Sequence, residues 1–236
     1  MPNGFLKRLK PAKCGVHTGK TVCGVERAGG GYTVQTADGG VYEADMVIST
    51  IPVQALAAAS RDVPEEIREC VDNLRYNSIA ISFVRTPYDL CGENYAFMIP
   101  DKNVIFHRIS KMDFLGDAYH HGNEATYMVE VTYRKNDGVD IMTDAKLREK
   151  ICGGMVEIGF ARRKEDVDIL DITKYEYAYV IYDLNHSGNM AKIRDYYARQ
   201  GIVLNGRFGN FEYWNMDRIL RESFELSKKL SRESTR

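Results

Sequence analysis

Between the turn Ala37-Asp38-Gly39-Gly40 and Pro52 the chain passes through Met46-Val-Ile-Ser-Thr50, a short segment apolar on both of its faces. Successive side chains of a strand point to opposite sides, so such a segment has to be covered on both. That condition is met in the middle of a doubly wound α/β sheet, which makes this the most restrictive stretch of the sequence. The residues before it read as a meander: a strand, a glycine turn at Gly29 to Gly31, a second strand, the Ala-Asp-Gly-Gly turn and a short strand leading through Glu43-Ala44-Asp45. The opening residues, MPNGFLKRLKPAKCGVHTGKTV, carry no core pattern of their own.

Farther along, VPEEIRECVDNLRY begins with Pro64 and an acidic first turn and sets Ile67, Val71 and Leu74 on one helical face. Residues 78 to 133 alternate in SIAISFV, YAFMIP, VIFHRIS and ATYMVEVTY, which predicts at least three strands of an antiparallel sheet. TDAKLREKICGGMVEIGF reads as a helix capped by Thr143 and weakened by Gly153-Gly154. A long strand, ILDITKYEYAYVIY, follows, then a helix, NMAKIRDYYARQ, with Gly201 just past its end, and the strand IVLNG. The last helix, DRILRESFELSKKL, is amphipathic, with Ile219, Leu220, Phe224 and Leu230 expected toward the protein. A meander and buried strand, a mixed sheet with helices, and a return to strand-loop-helix is the order of a domain completed around an inserted one. The expected fold class is therefore mixed α/β. A partial doubly wound domain spans residues 1–58 and 200–236, and a second domain, built on a largely antiparallel sheet with helices, spans residues 59–199.

Composition narrows the partners. Thirty-two basic residues against 33 acidic ones, a formal charge of -1, give no electrostatic footprint for nucleic acid, so a small molecule is the expected ligand. Cys14, Cys23, Cys70, Cys91 and Cys152 form no Cys-x-x-Cys pair and read as reduced thiols of a cytoplasmic protein. The longest apolar run is broken by Pro52 and is too short to span a bilayer.

The richest segment is GRFGNFEYWNMD, Gly206 to Asp217. A strand ending at Leu204, a glycine, and a loop entering a helix near Asp217 point backbone N–H groups and the positive end of a helix dipole at whatever lies in front. Gly206 permits close approach of a ligand to the backbone, and Arg207 offers a guanidinium suited to phosphate or pyrophosphate. On spacing alone the alternative is favoured, with Arg207 in a structural ion pair and Asn215 or Asp217 a plain helix cap.

Resemblance shifts that balance. GRFGNFEYWNMD resembles the C-terminal flavin-contacting segment of the superfamily that includes amine oxidases, protoporphyrinogen oxidase-like proteins and UDP-galactopyranose mutases. PNGFLKRL, GKTVCGVERAGGGYTVQTADGGVYEADMVISTIP and YAYVIYDLNHSGNMAKIRDYYARQGIVLNGRFG resemble further stretches of it, while residues 60 to 165 match only in texture. The resemblance implies FAD as cofactor. It implies Val22 beside the adenine, Ser49, Thr50 and Pro52 bordering the dinucleotide, and Gly206 and Arg207 at the pyrophosphate and ribityl chain. Asn215, Met216 and Asp217 fall by the flavin ring, where the helix N-terminus favours negative charge. Tyr213 is expected to face the substrate pocket.

One departure is large: no G-x-G-x-x-G unit opens this sequence, and the glycines of ERAGGGYT read as a hairpin turn. The chain is accordingly expected to represent the C-terminal portion of such a flavoprotein, to bind FAD weakly or not at all by itself, and to self-associate through an incomplete domain edge. Within the superfamily, the helix and strand after VISTIP resemble the oxidase branch, whereas the YAYVIYDLN and YWNMD segments lean toward the branch linked to cell-surface polysaccharide synthesis. The expected substrate is an amine or a sugar nucleotide. A mutase-like sugar-nucleotide isomerase and a non-catalytic module, or half of a split protein, stand as alternatives. No catalytic residue is assigned. His120-His121 with Asp117 and Glu124 read as a polar loop, so no metal is expected. His107 and Arg108 alternate on a strand, which places one on each face. Tyr175, Tyr177 and Tyr179 share a face at period two. Packing is the favoured account of that row, with Tyr177 and Tyr179 as substrate candidates.

Overall fold

The computed structural model describes residues 2–10, 13–119 and 122–233. The chain divides into two compact units, Met1–Asn73 with Ser187–Arg236, and Leu74–His186.

The first unit opens with a short helix α1 (Pro2–Leu6) and the meander β1 (Val22–Ala28), β2 (Gly31–Thr36) and β3 (Val41–Ala44), antiparallel throughout. Ala28 pairs with Gly31, and the two residues between them, Gly29 and Gly30, both have positive φ (58° and 93°). That is the mirror-image turn whose twist matches the strands it joins, and it needs glycine because a Cβ disfavours the left-handed region. Next come β4 (Val47–Ser49), α2 (Val53–Ala59) behind Pro52, and α3 (Glu65–Asp72) behind Pro64, with Ile67, Cys70 and Val71 buried.

The second unit is a five-stranded antiparallel sheet with α4 (Asp144–Glu157) packed on one face. Its strands are β5 (Arg75–Thr86), β6 (Ala96–Met98), β7 (Arg108–Lys111), β8 (Ala125–Tyr133) and β9 (Asp168–Ile181), in the order β6-β7-β8-β5-β9. Alternate residues of β8, Tyr127, Val129, Val131 and Tyr133, join Leu147, Ile151, Met155, Phe106 and Phe160 in one core. The Thr143 hydroxyl accepts from Lys146 N (3.3 Å), capping α4 as its spacing predicts. The chain then returns to the first unit through α5 (His186–Gln200), β10 (Ile202–Leu204), α6 (Gly206–Gly209) and α7 (Met216–Glu233). His186, Met190, Ile193 and Tyr197 of α5 are buried at helical spacing, and Gly201 just past its end has φ 77°.

The mixed α/β class expected from the sequence is what the chain adopts, and all five cysteines are free thiols. Three particulars differ. β4 is parallel, as a buried strand of a doubly wound sheet should be, but its one sheet neighbour among the described residues is β10, and Met46 and Ile48 are 47% and 45% exposed. On α7, Leu220 and Phe224 are 44% and 60% exposed instead of facing the protein. A periodic pattern records that a helix has an apolar side without recording what covers it. Lastly, the register of β5 against β9 slips between Asn77 and Ile79, so the tyrosine row breaks up: Tyr177 stacks on Tyr76 at 4.6 Å between centroids, while the Tyr179 hydroxyl donates to Glu130.

The glycine pair of α4 separates into two roles. A Cβ on Gly153 would meet nothing nearer than the flexible Lys164 side chain at 3.6 Å, whereas one on Gly154 would lie 2.7 Å from the Phe106 ring. Gly153→Ala is therefore expected to stabilise the protein by up to about 1 kcal/mol through helix propensity. Gly154→Ala should destabilise it by about 1–3 kcal/mol through overpacking. Urea denaturation measures both, and a Gly154→Ala protein as stable as the parent would contradict the contact.

Candidate functional site

The segment Gly206 to Asp217 takes its place from a single pairing. β4 and β10 run parallel with Ile202 opposite Val47, Val203 opposite Ile48 and Leu204 opposite Ser49, so both strands end at the same level. Asn205 N donates to Ser49 O at 2.9 Å and closes the pair. Beyond this edge one strand continues through Thr50 and Pro52 into α2 and the other through Gly206 into α6. Carboxyl ends of adjacent parallel strands, with chains leaving into helices, are where α/β proteins hold ligands.

Two glycines make the geometry available for different reasons. Gly206 has φ 76°, with only ordinary contact to Thr50 at 3.8 Å, so its requirement is conformational. Gly209 is needed for space, since a Cβ there would lie 2.6 Å from Ser49 O. The loop after α6 is held from several sides. Arg194 Nη2 donates to Glu212 Oε1 (2.7 Å) and Asn210 O (3.0 Å), and Asn205 Nδ2 donates to Ser223 Oγ on α7 (3.0 Å). Phe211, fully buried, is held at φ 50°, a backbone region that costs a residue with a Cβ about 1–2 kcal/mol.

Arg207 is half-buried within this loop. Its Nη1 donates to Trp214 O (3.2 Å), and its guanidinium lies over the rings of Tyr213 (4.4 Å) and Phe208 (5.5 Å). Tyr213 is 46% exposed. Asn215 O accepts from Ile219 N (3.1 Å), which starts α7 there, and the first-turn N–H groups lie outside the helical ladder at the positive end of its dipole. Asn215, Met216 and Asp217 are exposed at that end.

Residues 49, 50, 52, 206 and 207 thus share one edge, and residues 213–217 join them through the Arg207 contacts to Tyr213 and Trp214. Val22 stands apart, half-buried at the outer end of β1 opposite Thr36, where the register shifts before Gly24. Tyr177 and Tyr179 belong to β9 in the other unit. Sequence reasoning passed over Gln54, Asn189 and Trp214. Both amide atoms of Gln54, Asn189 Nδ2, Trp214 Nε1 and Ser49 Oγ are buried without a hydrogen-bond partner. The available signals were a glutamine in the first turn of the otherwise apolar Val53–Ala59 and the single tryptophan of the chain. A buried unsatisfied polar group costs about 1–3 kcal/mol. Ser49, Gln54 and Trp214 all lie on segments that leave this strand edge, so these residues fit a polar, multi-contact ligand such as a dinucleotide. Among the described residues no group of His, Cys, Asp and Glu side chains could hold a metal. His120 and His121 lie outside the described residues, and Glu124 pairs with Arg85 at 3.7 Å. No helix among the described residues is long and apolar enough to cross a membrane.

The chain belongs to the flavin-containing amine oxidoreductase family, whose model matches residues 1–195. No curated protein matches it in sequence. Among solved structures it is similar to reduced UDP-galactopyranose mutase (TM-score 0.73, 16% identity, 89% of this chain and 46% of that one). It is also similar to a protein described as a protoporphyrinogen oxidase from Exiguobacterium sp. 255-15 (0.63, 18%, 80% and 41%) and to a redesigned putrescine oxidase (0.60, 11%, 91% and 48%). At these identities the likeness is one of fold, and the chain spans less than half the length of each.

The two glycines should respond differently to substitution. Gly206→Ala is expected to cost about 1–2 kcal/mol for the left-handed backbone. Gly209→Ala should cost about 1–3 kcal/mol, because Ser49 O has to move. Gly206→Asn, which tolerates positive φ, should recover most of the first loss, while Gly209→Asn recovers none of the second. Thermal denaturation of the four variants checks the distinction.

Proposed function

We propose that this chain is the C-terminal portion of a FAD-dependent oxidoreductase. The first unit, Met1–Asn73 with Ser187–Arg236, contributes to the cofactor domain, and the second, Leu74–His186, forms a substrate-binding domain. The observation that carries the reading is the shared end of β4 and β10, with Ser49, Gln54 and Trp214 buried and unsatisfied around it. FAD, when bound, supplies a hydride acceptor. The chain's own residues supply position and charge. Ser49, Thr50 and Pro52 border the dinucleotide, with Val22 on its adenine side. Gly206 leaves room for the pyrophosphate and Arg207 brings positive charge to it, its plane fixed by Trp214 O and the Tyr213 ring. The positive end of α7, with Asn215, Met216 and Asp217, favours negative charge on the flavin ring.

The half-exposed Tyr213 ring over Arg207 supports a second reading, a sugar-nucleotide isomerase in which this tyrosine meets a substrate phosphate. Binding of a uridine diphosphate sugar, measured by calorimetry, separates the two. The exposed Ile48, Leu220 and Phe224 support weak FAD binding and self-association by this chain alone. Sedimentation should show concentration-dependent association, and a monodisperse monomer at high concentration would count against it.

Gln54→Leu provides the sharper test of the site. Removing a buried unsatisfied amide should stabilise the unliganded protein by about 1–3 kcal/mol while weakening FAD binding, followed by flavin fluorescence. A purely structural Gln54 would move stability alone. A stoichiometric flavin spectrum surviving desalting of the parent chain would overturn the expectation of weak binding.

A further inference from the structure

The first unit holds a cavity of about 210 Å³ between the meander and the end of α5. Its floor is apolar and aromatic. Val25, Tyr32, Tyr196, Tyr197 and Ile202 line it and are all buried, with the Tyr196 and Tyr197 rings edge to face at 5.1 Å between centroids. Two sets of contacts fix that floor. The Tyr32 hydroxyl donates to Gln200 O and ties β2 to α5, while Ser60 Oγ donates to Leu56 O (2.8 Å) and meets the Tyr197 hydroxyl at 3.4 Å. A cavity of roughly 150 Å³ already accepts a benzene ring, so this one has room for an apolar side chain of that size.

The rim is charged. Glu26 pairs with Arg61, which leaves Arg27 and Asp62, one charge of each sign, with no ion-pair or hydrogen-bond partner among the described residues. Side chains alternate along β1, and Arg27 is registered opposite Tyr32, so Arg27 shares the sheet face of Val25 and Tyr32 that covers the cavity. Asp62 is held at φ 56°, a region where an aspartate is ordinarily kept by a hydrogen bond from its side chain to nearby backbone. The Asp62 carboxylate makes no such bond. Burial raises the Tyr196 pKa, and the Asp62 charge adds to it, so the phenol stays protonated beside that carboxylate. The Tyr196 hydroxyl and the Gln200 side-chain amide likewise have no hydrogen-bond partner among the described residues. A buried aromatic floor beneath two uncompensated charges of opposite sign matches a ligand that carries both charges next to an apolar group.

We propose that this cavity binds a small zwitterion, an α-amino acid with an apolar side chain. Its carboxylate lies on Arg27, its ammonium on Asp62, and its side chain against the Tyr32, Tyr196 and Tyr197 rings. A simple anion or cation would leave one of the two rim charges unmatched. The cavity is at the Ile202 end of β10, whereas the candidate flavin edge begins beyond Leu204 at the other end, so failure of this inference would leave the flavin reading untouched.

The test uses the full chain with 15N-labelled arginine and follows the Arg27 Nε–H resonance during titration with L-phenylalanine, phenylacetate, phenethylamine and glycine. A saturable shift is expected with L-phenylalanine. Phenylacetate, which lacks the ammonium, and phenethylamine, which lacks the carboxylate, should each bind at least severalfold more weakly, and glycine, without a side chain to fill the floor, should not saturate in the same range. By calorimetry, Arg27→Met should erase the preference for L-phenylalanine over phenethylamine. Asp62→Asn, which tolerates the positive φ and so keeps the fold, should erase the preference over phenylacetate. Absence of a saturable shift with L-phenylalanine, equal affinity for L-phenylalanine and either singly charged probe, or preferences that survive both substitutions would each overturn the proposal.

Discussion

The pairing of Leu204 with Ser49 is the constraint on which the candidate site depends. It joins two three-residue strands separated by about two thirds of the sequence, and a contact of that span carries a large loop-closure cost. The interactions that offset it are concentrated at its end. Asn205 N is bonded to Ser49 O, Gly209 lies against Ser49 O where no side chain fits, and Asn205 Nδ2 reaches Ser223 on the last helix. Loss of that register would separate Arg207 and the start of α7 from Ser49, Thr50 and Pro52 together.

The two units show opposite solutions to polar burial. In the first, Ser49, Gln54, Asn189 and Trp214 are buried with hydrogen-bonding capacity unused, an arrangement with a standing cost unless something binds. In the second, polar groups inside the sheet are mostly satisfied by one another. Lys111 is bound by Asp89 and by Gly92 O (3.0 Å), and the Tyr127 hydroxyl receives the Cys91 thiol at 3.3 Å, whose pKa burial pushes up to about 11. That network fixes the loop after β5 and keeps the thiol protonated. His107 Nδ1 departs from this pattern, buried without a hydrogen-bond partner one residue before the arginine that pairs with Glu130.

Most elements were legible in the sequence because local rules decide them. Thr143 caps α4, Pro64 opens α3, Gly201 ends α5, and Gly29-Gly30 turn the first hairpin, each through backbone preferences that operate over a few residues. The failures share a cause. Alternation placed His107 and Arg108 on opposite faces and three tyrosines on one, yet an irregular strand start and a register slip rearranged both groups. Periodicity assigned Leu220 and Phe224 an apolar partner without locating one. Gln54 and Trp214 went unread because an unsatisfied amide or indole looks like any other until its surroundings are known.

What the sequence alone determined is the kind of protein: a mixed α/β chain with a parallel strand at Val47–Ser49 and a glycine-arginine loop that enters a helix, features set by side-chain periodicity and backbone stereochemistry. The tertiary structure decided which polar atoms are left without partners, which glycine serves space and which serves φ, and where Arg108, Glu130, Tyr179 and His107 converge. Those are properties of distances between residues far apart in the chain, and no local pattern encodes them, because burial and pairing exist only once the distant segments meet.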